Sequence, residues 1–299
     1  MTAHALTARF GSGKSVRRVE DDDLLTGRDR FADNFSLPGQ CHLAFVRSPH
    51  AHARILSIDA SSAKAMDGVV AIVTGAELAQ AGVKPLVQSA DFKRANGQPT
   101  AAPPQHAMAI DTARFAGEIV AAVLAETREQ ARDAAEVIDV RYEALPAVVM
   151  LADAVAKHAP LVWPEASGNV ACAARHGNAD AAMVAIAGAT HCVTLDLTNQ
   201  RVIPAPIEPR ATLASYDEAS DRITLRLTCQ TPTGARDELG PEVLGIDKEK
   251  IRVLVGDVGG GFGMKTTLYA EDVVAAHCAR TLKRPVTWCA ERLEEFLSA

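Results

Sequence analysis

A run of glycines, Gly259–Gly261 with Gly263 just beyond, follows the apolar stretch IRVLVGDV and is the strongest candidate for chemistry in this sequence. Each glycine costs about 0.5–1 kcal/mol relative to alanine in regular structure, so several in succession call for a physical reason. One reason is a backbone that a ligand can approach closely, beside a helix N-terminus that favours negative charge. The other is a tight structural crossover. The glycines alone leave both interpretations open.

Two segments match nucleotide-binding motifs in part, but neither contains the full motif. The segment 11–15, GSGKS, resembles the end of a phosphate-binding P-loop, but Ala8 stands where the motif requires its first glycine. A flexible arm is therefore the default interpretation. Within the later glycine run, each possible register of G-x-G-x-x-G ends on Met264 or Thr266. A dinucleotide site is disfavoured for that reason.

The composition excludes several classes of protein. The 299 residues suffice for two domains. A net charge of −6 gives no electrostatic reason to expect nucleic acid or an anionic membrane as a partner. No apolar run spans a bilayer, and the acidic residues 21–23 stand where a signal peptide would be apolar. The six cysteines are too far apart for a local metal knuckle, so we expect reduced thiols and a cytoplasmic protein.

The first half of the sequence predicts a compact α+β domain over 20–145, after an N-terminal arm over 1–19. Thr127-x-x-Gln130 is a capping box and predicts a helix that continues to about Ile138. Alternating or continuous apolar patterns predict five strands, within CHLAFVR (41–47), ARILSID (53–59), GVVAIVTG (68–75), EIVAAVLA (118–125) and the segment 138–143.

Residues 146–188 carry no sustained period and predict a connector, followed by a second organised region over 189–299. There, Val193, Leu195 and Leu197 alternate as in a strand. The further predicted elements are a hairpin of ATLASYD (211–217) and RITLRLTCQ (222–230), a helix over about 233–244 interrupted at Pro241, a strand in IRVLVGDV (251–258), a helix over about 267–282 and a closing strand in PVTWCA (285–290).

Several segments resemble, in the same order, one family of enzymes. They are GDVGGGFGMK (256–265), the segment 16–55 from VRRVEDDD to HARI, PIEPRATLASYD (206–217), TCQTPTGARDELGPEVLGI (228–246) and ERLEEFLSA (291–299). Together they are similar to the N-terminal portion of the molybdenum-binding large subunit of the xanthine dehydrogenase, aldehyde oxidase and carbon monoxide dehydrogenase family. The resemblance implies a small α/β hammerhead domain followed by the first part of a mixed α/β molybdopterin-binding domain.

The resemblance also implies a cofactor, molybdenum held by molybdopterin in its cytosine dinucleotide form. Gln230 would donate a hydrogen bond to an apical oxygen on molybdenum. Gly260, Gly261, Phe262 and Gly263 would present backbone beside the metal and close one wall of the site. None of these residues would coordinate the metal directly. A neutral amide suits such a role because it polarises an oxygen without adding a competing charge.

The activity implied is hydroxylation of a small molecule with water as the oxygen source. Electrons would pass to [2Fe-2S] clusters on a small subunit and to FAD on a medium subunit, in a dimer of heterotrimers. The family's general-base glutamate lies in a part of the large subunit that this sequence does not include. We therefore expect no catalytic residue in this chain, and no activity from it alone, as in a truncated chain or a split subunit.

Two positions depart from the family pattern. Thr233 stands where the family usually has histidine after Gln230 and Pro232. Thr266 stands where purine-oxidising members have an acid, so a charge-assisted bond to a purine, worth about 1.5–3 kcal/mol, is lost. The sequence thus favours an aldehyde, an N-heterocycle or carbon monoxide as substrate. The alternative from another class is a non-catalytic scaffold that binds partner chains without metal.

Overall fold

The structure, a computed structural model, describes residues 16–88, 92–94, 96–174, 176–200 and 202–298. The P-loop-like segment and most of the predicted arm lie outside these residues. The strands are β1 (Cys41–Arg47), β2 (Ala53–Asp59), β3 (Val69–Thr74), β4 (Thr112–Ala113), β5 (Ile119–Ala125), β6 (Asp139–Ala144), β7 (Ala211–Asp217), β8 (Arg222–Leu227), β9 (Ile251–Leu254) and β10 (Val286–Cys289). The α-helices are α1 (Asp21–Leu25), α2 (Ser61–Lys64), α3 (Gly75–Gln80), α4 (Arg128–Glu136), α5 (Leu151–Ala154), α6 (Ala179–Ala187), α7 (Pro232–Asp237), α8 (Ala270–Leu282) and α9 (Arg292–Ser298).

Seven strands form one sheet in the order β3-β5-β1-β10-β7-β8-β9. Its central pairing is parallel, between β1 and β10, with Cys41 opposite Val286. Since β1 belongs to the predicted 20–145 domain and β10 to the predicted 189–299 region, the sheet joins the two. The boundaries of the predicted domains stay predictions, because strand pairing does not mark where a domain ends.

The two faces of this sheet are covered by different helices. Along β5, which is buried throughout as its apolar run predicts, Leu124 faces the main core with the α8 residues Val273 and Val274. Val123 points to the other face and packs with Ala134 of α4. Successive side chains of a strand alternate between faces, so α8 and α4 lie on opposite sides of one layer.

The predicted capping box is confirmed at the start of α4. The Oγ1 of Thr127 accepts the Gln130 backbone N–H at 3.1 Å, and Gln130 Oε1 accepts the Thr127 N–H at 3.1 Å. The helix then buries Ala131 and Ala134. A second, three-stranded sheet, in the order β4-β2-β6, completes this half of the chain.

The predicted strand at 193–197 is wrong. Val193, Leu195 and Leu197 are 92%, 73% and 82% exposed, and residues 189–200 have no regular secondary structure. Alternation identifies side chains that could share a face, but a strand also needs a neighbour for its backbone N–H and C=O groups. Among the described strands, none pairs with this segment. The connector holds two helices that the pattern missed, α5 and α6, neither of which has a buried residue; the side chain of Asn178 caps α6.

The other elements predicted for the second region are present, with one change of helix type, and β9 ends at Leu254, four residues before the end of the predicted strand. The hairpin forms between β7 and β8, and α8 and β10 follow as expected. The helix predicted over 233–244 begins as α7 and continues as a π-helical segment, Glu238–Leu244, with Pro241 inside it. Proline lacks the N–H donor that a regular α-helix requires there. In the described part of the chain, no helix is both long and apolar enough to cross a membrane.

A buried network of ion pairs fastens β1 to the start of α8. The carboxylate of Glu271 accepts Arg47 Nη2 at 2.7 Å and Arg210 Nη1 at 3.1 Å, and its side chain is 2% exposed. Burial alone would raise the pKa of Glu271, but the guanidinium groups of Arg210 and Arg47 hold it below its ordinary value. Glu294 gives Arg47 a further partner, and Glu295 accepts the Arg210 backbone N–H. The network therefore links both halves of the chain.

The substitution Glu271→Gln should destabilise the chain because two buried guanidinium groups lose their shared charge partner. We expect the free energy of unfolding in urea to fall by about 3–5 kcal/mol, the usual cost of removing one member of a buried pair. The control is Glu218→Gln, which breaks the exposed pair with Lys283 and should cost about 1 kcal/mol or less. Equal losses in the two variants would contradict this account of the network.

Candidate functional site

The glycine loop leaves the sheet after β9 and is anchored at its base by a segment from the N-terminal part of the chain. Asp257 accepts the Arg30 backbone N–H at 2.6 Å and donates its own N–H to the Arg30 carbonyl at 3.2 Å. A side chain at Gly256 would collide with that carbonyl. Glycine is therefore required at 256 by the approach of another backbone.

The next contact holds the first glycine of the run against Glu208. The N–H of Gly259 donates to Glu208 Oε2 at 2.7 Å. A methyl group at 259 would lie 2.5 Å from the Glu208 Cβ, which leaves no room for any residue but glycine. The same carboxylate accepts the Lys265 ammonium at 3.2 Å, and Lys265 also donates to the Glu208 carbonyl at 2.8 Å. Glu208 thereby joins the two ends of the loop.

Gln230 holds the loop from the other side. Its Oε1 accepts the backbone N–H groups of Gly263, at 3.1 Å, and of Lys265, at 3.2 Å. The backbone N–H of Gln230 donates to the Lys265 carbonyl at 2.8 Å. A methyl group at Gly261 would lie 2.5 Å from Gln230 Oε1. Within the described residues, the Nε2 group of Gln230 makes no hydrogen bond, so this exposed side chain has donors free.

The tip of the loop has a left-handed backbone. Gly260, Phe262 and Gly263 have φ angles of 104°, 51° and 89°. For phenylalanine such a conformation costs on the order of 1–3 kcal/mol, and strain of this kind concentrates at functional sites. Phe262 is nevertheless 74% exposed. Contacts with the described residues bury too little of it to offset the strain. A Cβ at Gly263 would meet no atom of the described residues within 4 Å, which leaves that face of the backbone open among them.

Three hydroxyl groups donate hydrogen bonds to backbone carbonyls at the end of the loop. Thr266 donates to the Gly263 carbonyl at 2.7 Å, and Thr231 donates to the Thr266 carbonyl at 2.6 Å. Tyr269 donates to the Met264 carbonyl at 2.6 Å. Since the hydroxyl proton of Thr266 is used within the loop, its exposed oxygen remains as a neutral acceptor.

The structure therefore brings the predicted site residues together. Gln230 contacts Gly261 and Gly263, and Gly260 lies against the ring of Phe262. The surroundings of the individual glycines differ. Gly261 makes room for a side chain of the protein itself, as a structural crossover does, whereas Gly263 is open to an approaching group.

The contribution of Lys265 could not be found from the sequence. A lysine after a glycine loop is expected to reach solvent, but this side chain is fully buried and paired with Glu208. The described residues include no group of three or more histidine, cysteine or carboxylate side chains that could hold a metal ion. The donors at this site are backbone amides and the side-chain amide of Gln230.

Comparison with known proteins gives matches along most of the chain. Residues 26–146 match the family described as aldehyde oxidase and xanthine dehydrogenase, a/b hammerhead domain, and residues 162–299 match the molybdopterin cofactor-binding domain. The nicotine 6-hydroxylase large subunit of Paenarthrobacter nicotinovorans is 34% identical over 96% of this chain and 34% of its own length. The carbon monoxide dehydrogenase large chain of Afipia carboxidovorans is 35% identical over 96% of this chain and 35% of its own.

A solved structure is similar in fold as well as in sequence. Quinoline 2-oxidoreductase from Pseudomonas putida 86 superposes with a TM-score of 0.82 at 34% identity, covering 96% of this chain and 35% of that one. The chain thus spans about a third of the length of the relatives that it matches.

The substitution Gly261→Ala should displace the Gln230 amide from the loop, because the added methyl group overlaps it. We expect a loss of about 1–3 kcal/mol in unfolding free energy, as for other overpacked sites. Amide hydrogen exchange at Gly263 and Lys265 should also accelerate. Gly234→Ala, in α7 with only ordinary contacts around its Cβ, is the control and should leave both quantities near wild type or raise stability. Unaltered exchange at Gly263 and Lys265 in the Gly261 variant would contradict the role assigned to this glycine.

Proposed function

Because the chain belongs to the family of molybdenum-binding large subunits that includes xanthine dehydrogenase, aldehyde oxidase and carbon monoxide dehydrogenase, we propose that it serves in a molybdenum-dependent hydroxylation. Its C-terminal half is a molybdopterin cofactor-binding domain. The group that this domain binds supplies, when present, a redox-active metal that withdraws electrons from a substrate carbon while water provides the oxygen.

The observation that carries the proposal is the state of the Gln230 amide. Its Oε1 is occupied by two loop N–H groups, so the side chain cannot rotate without losing both hydrogen bonds. Each bond contributes about 0.5–1.5 kcal/mol net, which fixes the direction of Nε2 in advance of binding. A neutral donor held in this way needs no reorganisation during a reaction. We assign it the hydrogen bond to an oxygen of the molybdenum group.

The residues beside Gln230 would form one wall of the cofactor site. Gly263 has an open backbone face, and Phe262 projects an exposed ring from a strained position. A large group that covered the loop tip would bury this ring and offset its strain. In this proposal Gly260 and Gly261 supply the backbone shape, with Gly261 giving the Gln230 side chain its place. None of these residues transfers a proton or an electron.

For the substrate we propose an aldehyde, an N-heterocycle or carbon monoxide. Thr266 offers a neutral oxygen where an acid would be needed to hold a purine through a charge-assisted bond. Two of the relatives are named for the N-heterocycles nicotine and quinoline, and a third for carbon monoxide. These names support the classes proposed here.

The partners proposed are those of a complete hydroxylase. We infer an FAD-binding medium subunit and a small subunit with [2Fe-2S] clusters, assembled as a dimer of heterotrimers in the cytoplasm. The cofactor would be the cytosine dinucleotide form of molybdopterin. The general base would come from sequence outside this chain. Relatives named as the large subunit or large chain of their enzymes support a multi-subunit assembly.

The proposal is tested on the mature complex that contains this chain, by metal analysis and by the variant Gln230→Ala. We expect molybdenum near one per large subunit in wild type and variant alike. Loss of one preorganised donor should lower kcat by about 10²-fold while assembly stays intact. Turnover is followed with a dye acceptor and nicotine, quinoline, benzaldehyde or carbon monoxide as probes.

The control variant is Gln98→Ala, an exposed glutamine outside the site, which should leave kcat unchanged. A correctly assembled wild-type complex without molybdenum would support the non-catalytic scaffold instead. Equal turnover in the Gln230 variant and wild type would remove Gln230 from the site.

A further inference from the structure

The buried ion pair of Lys265 and Glu208 has no part in the function argued above. The Lys265 side chain is 0% exposed, and its ammonium donates to the carboxylate Oε2 and the backbone carbonyl of Glu208. The same Oε2 accepts the Gly259 N–H. Oε2 of Glu208 therefore holds both Gly259, at the start of the loop, and Lys265, at its end.

Stability alone does not explain this pair. Taking both charges out of water is costly, and buried pairs of this kind can often be replaced by apolar residues of similar volume without loss of stability. The second carboxylate oxygen, Oε1 of Glu208, is buried and has no hydrogen-bond partner among the described residues. The charges are thus imperfectly satisfied, and local violations of this kind are expected where geometry serves function.

The geometry that the pair controls is that of Gln230. The Lys265 N–H donates to Gln230 Oε1 at 3.2 Å, and the Lys265 carbonyl accepts the Gln230 N–H at 2.8 Å. Lys265 is therefore held by Glu208 through its side chain and holds Gln230 through both of its backbone groups. A shift of the Lys265 backbone would change the direction of the free Nε2 group.

We propose that the Lys265–Glu208 pair is a positioning device for the reaction, which fixes the Lys265 backbone and thereby aims the Gln230 amide. The inference rests on the proposed function, in which that amide faces the molybdenum group. Neither Lys265 nor Glu208 contacts the substrate in this scheme. They are positioning residues that act through Gln230.

The test compares Lys265→Met, Glu208→Gln and the double variant in the mature complex. Each single variant leaves one buried group without its charge partner and should reduce the yield of assembled complex. The double variant has no unpaired buried charge and keeps an acceptor for the Gly259 N–H, so it should assemble and unfold thermally like wild type. The double variant Lys283→Met/Glu218→Gln removes an exposed pair and is the control.

We expect the Glu208→Gln/Lys265→Met double variant to unfold at the wild-type temperature. Its Lys265 backbone and Gln230 amide should still not be held in the wild-type position. Amide exchange at Gly263, whose N–H bonds Gln230, should be about 5-fold faster or more than in wild type. The kcat should stay reduced while KM is little changed, since the donor is misaligned in the transition state and not removed from a binding contact. The control variant should match wild type in both measurements.

Recovery of exchange protection and kcat together with stability in that double variant would overturn the proposal, because the pair would then be structural only. The Glu208→Gln single variant, in which Lys265 keeps its bond to the 208 carbonyl, should show intermediate exchange; protection at the wild-type level there would also count against it. Absence of molybdenum from the wild-type complex would refute the proposed function alone. The exchange measurement reports on the coupling of Lys265 to Gln230 without reference to the metal.

Discussion

The loop 259–265 depends on a lysine that has no access to water. Three of its residues, Gly260, Phe262 and Gly263, have left-handed backbone angles, and a chain with such angles does not hold one conformation unless its surroundings impose it. The surroundings here are Glu208 on one side and Gln230 on the other, and both bind Lys265. The buried ion pair therefore determines where the loop backbone lies, and with it the free amide of Gln230.

The rest of the fold keeps these partners in register. Residues 208 and 210 lie just before β7, Gln230 follows β8, and the loop follows β9. The site therefore lies where three adjacent strands of the sheet begin or end. The network around Glu271 then fastens β1 to the first turn of α8, directly after the loop. A single sheet that runs through both halves of the chain makes this arrangement one body, which suits a site that needs preorganised donors.

Much of this architecture could be predicted from sequence, because local chemistry determines it. Local chemistry places α4, which begins at the capping box of Thr127 as predicted, whereas the fold class, a hammerhead domain followed by a molybdopterin-binding region, was implied by the family resemblance and is confirmed. The segment 193–197 was predicted wrongly because alternation reports a shared face and not the presence of a pairing strand. The roles of Gly259 and Gly261 were also out of reach, since the side chains that they accommodate, Glu208 and Gln230, are distant in sequence. The division at 146–188 and the roles of the site residues toward a cofactor stay predictions.

The most direct measurement is a crystal or cryo-EM structure of the mature assembly at a resolution that places side-chain amides. The account predicts that Gln230 Oε1 still accepts the N–H groups of Gly263 and Lys265, while Nε2 donates to an oxygen of a bound molybdenum group lying against the Phe262 ring. A structure in which Nε2 donates to a protein carbonyl, with the loop covered by polypeptide alone, would contradict it.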